Sequence, residues 1–379
     1  MYGRVYMTKK VKIGLAGLGF GAEFIPIYQL HPHAELVAVC QRSKEKLNQI
    51  ADHFGIPGRY TSYEDMLKDP EIDAIHINTP IPDHAEQSIA ALLAGKHVAC
   101  TVPMATSVED CKRIVEAQQQ SGKCYMMMET AVYTREFFYA KELRDSGQLG
   151  RIQFLRGAHQ QEMAGWPGYW EGLPPMHYAT HAVGPLLALA DREADTVNCL
   201  GSGSIEERLA KVYGSPFAVE SALFKLRDSN LAMEVTRSLF ETAREYVESF
   251  DVYGDQLSFE WQQLEEEQPV VFTGEEGKRI QVPDYGHLLP EEIRKFTTQG
   301  VYDSGDNQHL SFTQGSGHGG SHPHLVHEFV MSIMENRSPF PDVYASANWT
   351  SAGLCAHESA MNGGAQVKLP QFKSAVTDK

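Results

Sequence analysis

The sequence predicts an α/β protein: a Rossmann-type, doubly wound parallel sheet, joined to a second α+β domain with a large open, mainly antiparallel sheet. Three observations lead there. A short apolar run from Val11 to Ala16 breaks into Gly17-Leu18-Gly19-Phe20-Gly21-Ala22 and continues with a helical pattern. Buried-strand runs and helical stretches then alternate as far as residue 128, as a parallel sheet with crossover helices requires. From about residue 150 the strands instead alternate apolar with polar residues, the pattern of a sheet with one covered face. At 379 residues the chain exceeds what one core usually serves. Two domains are therefore expected, 1–130 and 131–379, with residues 1–10 an extension outside the fold.

Within the glycine turn, Gly17 and Gly19 let the backbone turn tightly and approach a pyrophosphate, and Ala22 takes the third small position, where helix packs on strand. Phe20 and Gly21 complete the cradle. A tight turn with no ligand is the alternative, and the βα units that follow decide for a dinucleotide. The next strand, 34–40, ends at Gln41, where such folds often carry an acid for the adenosine ribose hydroxyls. Gln41 is uncharged, and Arg42, Ser43 and Lys44 follow, a set that tolerates a 2′-phosphate, with Arg42 and Lys44 merely beginning a solvated helix as the alternative, so the cofactor is NAD or NADP.

Helices are expected over 43–54 and 63–67, then a strand over 72–77, a helix over 84–94 stopped by Gly95, and a strand over 96–100. A helix over 108–120 leads to the strand 123–128. Ligands of open parallel sheets gather at the carboxyl ends of the strands. Thr79, Pro80, His84, Thr101, Val102 and Glu129 are accordingly placed beside the cofactor. His84 has an equal alternative as a helix-terminus residue bonding backbone.

Asp and Glu total 49 against 33 Lys and Arg, a net charge of -16 that argues against nucleic acid or an anionic membrane as partner. Solubility is the plainer meaning of that charge. Six cysteines lack paired spacing and read as reduced residues of a cytoplasmic protein. No membrane-length apolar run occurs.

Gly17-x-Gly19-x-x-Ala22, Thr79-Pro80 followed by His84, Ala94-Gly95-Lys96-His97-Val98 and Pro103-Met104-Ala105 together resemble the glucose-fructose oxidoreductase, inositol dehydrogenase and MocA-like family. That family usually has Glu-Lys-Pro where this chain has Thr101-Val102-Pro103, and its lysine lies near the nicotinamide and the substrate hydroxyl. Val102 can neither donate a hydrogen bond nor carry charge. One branch, the NAD-dependent glycoside hydrolases of the alpha-N-acetylgalactosaminidase type, also has Val-Pro here. Met126-Met127-Met128-Glu129 followed by Tyr133-x-Arg135-Glu136 is similar to that branch, although Thr130 stands where the branch tends to have Asn.

In the second half, strands are expected over 152–159, 221–227, 231–239, 245–253 and 256–261, with solvated loops at 265–268 and 274–278. The resemblance implies that the open face of this sheet makes a subunit contact, hence a homo-oligomer. Between the first two strands, Gly165 to Gly172 forms a loop rich in glycine and aromatics. Trp166 and Trp170 suit stacking on a sugar ring, or equally anchor the loop to the core.

The chain becomes helical at about Met176, so His177 and His181, four apart, would share a face. His181 matches a family histidine near the substrate hydroxyl, and His177 stands at the family aspartate's position. Oxidising an alcohol needs a group that takes the hydroxyl proton, which assigns His181 as base, with His177 or Tyr133 assisting it. A metal is the alternative for paired histidines, but no HExxH pattern accompanies them and none is expected. Gly315 to His324 reads as a loop that lets His318 or His322 complete the substrate pocket with Arg135, or else as a surface loop whose histidines are solvated. Helices at 325–336 and 345–361 and a strand at 367–369 close the chain.

These residues imply an NAD(P)-dependent oxidoreductase acting on a secondary hydroxyl or ketone of a sugar or glycoside. The alternative is a glycoside hydrolase that keeps its NAD bound and oxidises the sugar transiently. A cofactor-binding protein without chemistry is the third reading, supported by the lost lysine and opposed by His181.

Overall fold

The structure is a computed structural model that describes residues 10–244, 246–264, 266–302 and 317–373. The expected extension, apart from Lys10, falls outside these residues, as do Glu245, Glu265 and Gly315.

The first sheet contains β1 (Val11–Ala16), β2 (Ala34–Cys40), β3 (Gly58–Tyr60), β4 (Ala74–Ile77), β5 (His97–Thr101) and β6 (Tyr125–Met128). Their order is β3-β2-β1-β4-β5-β6, and every pair is parallel. The order reverses between β1 and β4, which opens a crevice at their carboxyl ends. Side-chain oxygens of Ser43, Ser62 and Ser107 accept backbone N–H bonds at the starts of the helices Lys44–Phe54, Tyr63–Leu67 and Val108–Ser121. Each satisfies a donor that the helix itself cannot.

The helix after the glycine turn is not continuous. A 3₁₀ turn at Phe20–Phe24 leads into an α-helix at Ile25–Leu30. Pro26 has no N–H, so the α-helical bond back to Ala22 is missing.

The second sheet contains β7 (Ile152–Gln161), β8 (Ala194–Ser202), β9 (Val219–Leu226), β10 (Ala232–Ser238), β11 (Tyr246–Gly254), β12 (Ser258–Glu260), β13 (Val270–Thr273), β14 (Glu276–Arg279) and β15 (Val367–Lys368). The order is β14-β13-β12-β11-β7-β10-β9-β8-β15. Only the central pair, β7 with β10, runs parallel. The expected loop at 274–278 is instead the tip and second strand of a hairpin with β13. All four residues of β14 are exposed, so no apolar alternation marks it. Strand β8 was also not anticipated.

The expected helix at Met176 divides into a 3₁₀ turn, Pro175–Tyr178, and an α-helix, Thr180–Ala190. Ala179 between them has φ -101 and ψ 1, so the α-helical spacing does not run through it. A similar shift extends a later helix to His322–Met334, with Pro323 in its first turn.

The Thr180–Ala190 helix lies directly on β7. A Cβ at Gly157 would stand 2.6 Å from the Ala182 carbonyl oxygen, so only glycine permits this approach. Helix Val343–Met361, nearly all buried, packs against β6 and β8 and so spans both sheets. Among the described residues no helix is long and apolar enough to cross a membrane. Replacing Gly157 by valine is expected to cost about 1–3 kcal/mol of stability by forcing helix and strand apart, read as a lower urea midpoint.

Candidate active site

The glycine turn sits at the switch point. Gly17 has φ +87, and a Cβ there would lie 2.3 Å from the Asn78 carbonyl oxygen at the end of β4. Gly19 has open space on its Cβ side. Both side-chain amide atoms of Asn78 are buried without a hydrogen-bond partner. A tight turn, free space and unmet polar atoms at a strand-end crevice fit a dinucleotide.

Beyond this crevice a cavity runs between the ends of β4, β5 and β6 and the second sheet. Phe20, Thr79, His84, Thr101 and Val102 line the first side, and Trp166, Tyr169, Trp170, Tyr178, His181 and His318 the other. His181 is 4% exposed. Its Nδ1 lies 2.5 Å from Glu129 Oε1, and its Nε2 lies 3.2 Å from the Tyr178 hydroxyl. Glu129 is fully buried at the end of β6. With Nδ1–H donating to that carboxylate, Nε2 is left as the ring's acceptor, facing Tyr178. Burial opposes protonation of His181, but Glu129 and Glu248 outweigh it and raise its pKa above the usual histidine value.

Tyr178 is held from behind. Arg237, fully buried, donates from Nε to the Tyr178 carbonyl at 2.8 Å and lies over the phenol ring, 5.4 Å from its centroid. Trp170 meets the same ring edge-on at 4.8 Å. Trp166 packs edge-on against Trp170. Trp170 is thus both an anchor of the loop and a cavity wall.

The structure does not bring every predicted residue to this cavity. His177 turns away and packs against His357, which bonds Glu220 at 2.6 Å; burial lowers the His177 pKa to about 3. The break at Ala179 separates it from His181. The Tyr133 hydroxyl donates to the Phe340 carbonyl at 2.5 Å, buried in the core. His322 is fully buried against Phe20 and Phe24, 3.5 Å from the Glu23 carboxylate. Arg135 lines a neighbouring polar cavity and donates to the Thr297 carbonyl. Glu129 is directed at His181 rather than at the crevice.

His84 lines the cavity, yet both ring nitrogens are engaged by carbonyls, Pro103 at 2.8 Å and Thr79 at 2.9 Å. It clamps two strand-end turns, the second carrying the cis bond Val102-Pro103. Pro80 follows Thr79 in the first of these turns, and Ala22 is buried beneath the glycine turn. Gln41 directly follows β2 and Arg42 is exposed beside it, its N–H donating to Gln41 Oε1 at 2.9 Å.

Sequence reasoning passed over Tyr178, Asn78 and Glu248. Tyr178 stands three residues before His181, a spacing that could have suggested it. Glu248 carries no local signal, because strand register alone brings it to the cavity.

The glycine turn at the switch point of the parallel sheet defines a dinucleotide-binding fold of the Rossmann type. Residues 11–129 match the model of an oxidoreductase family with an NAD-binding Rossmann fold. It is 29% identical over 237 residues to a 1-carboxy-3-chloro-3,4-dihydroxycyclohexa-1,5-diene dehydrogenase of Comamonas testosteroni, covering 60% of this chain and 58% of that protein. The chain thus spans under two thirds of that relative's length. A glycosyl hydrolase family 109 protein of Porphyromonas gingivalis is 24% identical over 97% of this chain and 86% of its own. Among solved structures, a levoglucosan dehydrogenase in complex with NADH and levoglucosan superimposes with a TM-score of 0.79 at 21% identity, covering 96% of this chain and all of that one.

The raised His181 pKa sets a sign for stability. Extra proton binding by the folded state stabilises it below the ordinary value of ~6.5, and that contribution is lost as pH rises through the raised value. In Glu129→Gln, burial dominates and the pKa falls, so the mutant is expected to lose stability on acidification through this range. Histidine NMR titration and urea midpoints on either side of pH 6.5 would check both effects.

Proposed function

We propose that the protein is an NAD(P)-dependent oxidoreductase that interconverts a secondary hydroxyl and a ketone on a sugar or glycoside. The observation that carries this is His181, oriented by Glu129 and set in the cavity that adjoins the dinucleotide crevice. A bound nicotinamide supplies the hydride acceptor. The substrate's hydroxyl proton passes to His181 Nε2, directly or through the Tyr178 hydroxyl, while Glu129 steadies the imidazolium that forms. Trp166, Trp170 and Tyr169 offer ring faces to the apolar side of a sugar. Val102 provides no charge, so His181 with Tyr178 takes over proton handling from the family's lysine.

The family's NAD-binding character favours NAD, and Arg42 leaves room for a 2′-phosphate. Unpaired cysteines suit a reducing cytoplasm. Leu200 and Leu223, 63% and 58% exposed on the open face of β8 and β9, favour a homo-oligomer formed through that sheet. The acidic net charge favours a small-molecule substrate over nucleic acid or membrane.

A second reading, an NAD-dependent glycoside hydrolase, is favoured by Val102-Pro103 and the family 109 relatives. It uses the same His181 chemistry, followed by elimination of the aglycone, addition of water to the unsaturated ketone and return of the hydride.

His181→Ala is expected to lower turnover roughly 10²–10⁴-fold while leaving cofactor affinity within a factor of about two. Full turnover in that variant would refute the assignment. Aryl glycosides incubated without added cofactor separate the two readings: stoichiometric NADH marks the dehydrogenase, and catalytic aglycone release the hydrolase.

A further inference from the structure

Beside the cavity, three ligating side chains converge from three elements: His159 on β7, Glu248 on β11 and His181 on its helix. His159 and Glu248 are paired across the strands, with Nε2 and Oε1 3.5 Å apart. His181 Nε2 lies 3.9 Å from the same oxygen. One ligand atom from each residue falls within 4.8 Å of the others. Tetrahedral zinc, with bonds of ~2.0–2.2 Å, holds its ligand atoms about 3.3–3.5 Å apart. The first pair already has that spacing, and a small inward movement of His181 supplies the third ligand.

His159 provides an independent observation. It is fully buried, and neither ring nitrogen has a hydrogen-bond partner. A buried polar group in that condition calls for an occupant. The surroundings are those of a metal site: Glu129 orients His181 through Nδ1, and the Tyr246 hydroxyl donates to Glu248 at 2.7 Å. Carboxylate partners of this kind fix ligand rings in metal centres. The buried cation nearby, Arg237, spends its N–H groups on the carbonyls of Tyr178, His159 and Ser238 and on Gln161. Glu248 and His181 also line the cavity, which leaves a fourth position open to water or a substrate oxygen.

We infer that His159, His181 and Glu248 form a binding site for a divalent transition-metal ion of the zinc type, and that the ion inhibits turnover by occupying the Nε2 lone pair of His181. Imidazole and carboxylate ligands suit zinc and cobalt. The inhibition rests on the base role proposed for His181; the ion binding does not.

The test uses the full chain, stripped by chelator, loaded with NAD and titrated with Co²⁺, whose visible absorption reports coordination without any turnover. One ion per chain is expected, displaced by Zn²⁺. His159→Asn is expected to weaken binding at least about ten-fold, and Glu129→Gln about ten-fold through loss of orientation. Zn²⁺ is expected to inhibit the unmodified protein, while His159→Asn keeps its turnover and escapes inhibition. Glu248→Gln serves as a second ligand variant, with circular dichroism and NAD binding as checks of folding. Absence of a bound ion in the unmodified protein, or undiminished binding in both ligand variants, overturns the site. Binding without inhibition keeps the site and overturns the inhibitory step, and binding to a protein that turns over no sugar separates this inference from the proposed function.

Discussion

The contact between Glu129 and His181 joins the two halves of the molecule. Glu129 directly follows the last strand of the parallel sheet, and His181 sits in the helix that covers the second sheet, 52 residues later. A buried carboxylate is tolerated only with a partner that compensates its charge, and removing one member leaves the other stranded. The packing around the pair is correspondingly close. A Cβ on Gly184 would meet Trp349 at 3.0 Å and Glu129 at 3.4 Å, so this helix face must be bare where the carboxylate passes.

From that contact the site extends both ways. Toward the first sheet, His84 ties the turns after β4 and β5, with burial opposing its charge and Cys100 and two carbonyls raising its pKa to about 9. Toward the second sheet, Arg237 fixes Tyr178 through its carbonyl and ring. Both clamps act on backbone, so the cavity walls are set by groups that take no part in the proposed chemistry.

The parallel sheet was legible because β1, β2, β4, β5 and β6 are largely buried and read as apolar runs, with a glycine stop such as Gly95 marking a helix end, whereas the short, partly exposed β3 carried no such signal. The cofactor crevice was legible for a local reason: Gly17 to Ala22 is one contiguous turn. The paired role of His177 and His181 was not, since a four-residue spacing implies one face only while the helix is continuous. Pro174 and Pro175 start a tighter turn there, and His177 leaves for the far side. Tyr133 and His322 were placed in the site from the sequence, but the Tyr133 hydroxyl is bound to the Phe340 carbonyl and His322 is buried against Phe20 and Phe24.

By itself the sequence determined the dinucleotide fold, its switch-point turn, the acidic surface and the histidine that faces the cavity, because each depends on residues close together in the chain. Only the tertiary structure decided what that histidine touches. Tyr178 is a near neighbour in sequence, but Glu129, Glu248 and His159 reach it through sheet register and the docking of one helix on two sheets, and neither has a local signature, because both are fixed by contacts between residues far apart along the chain.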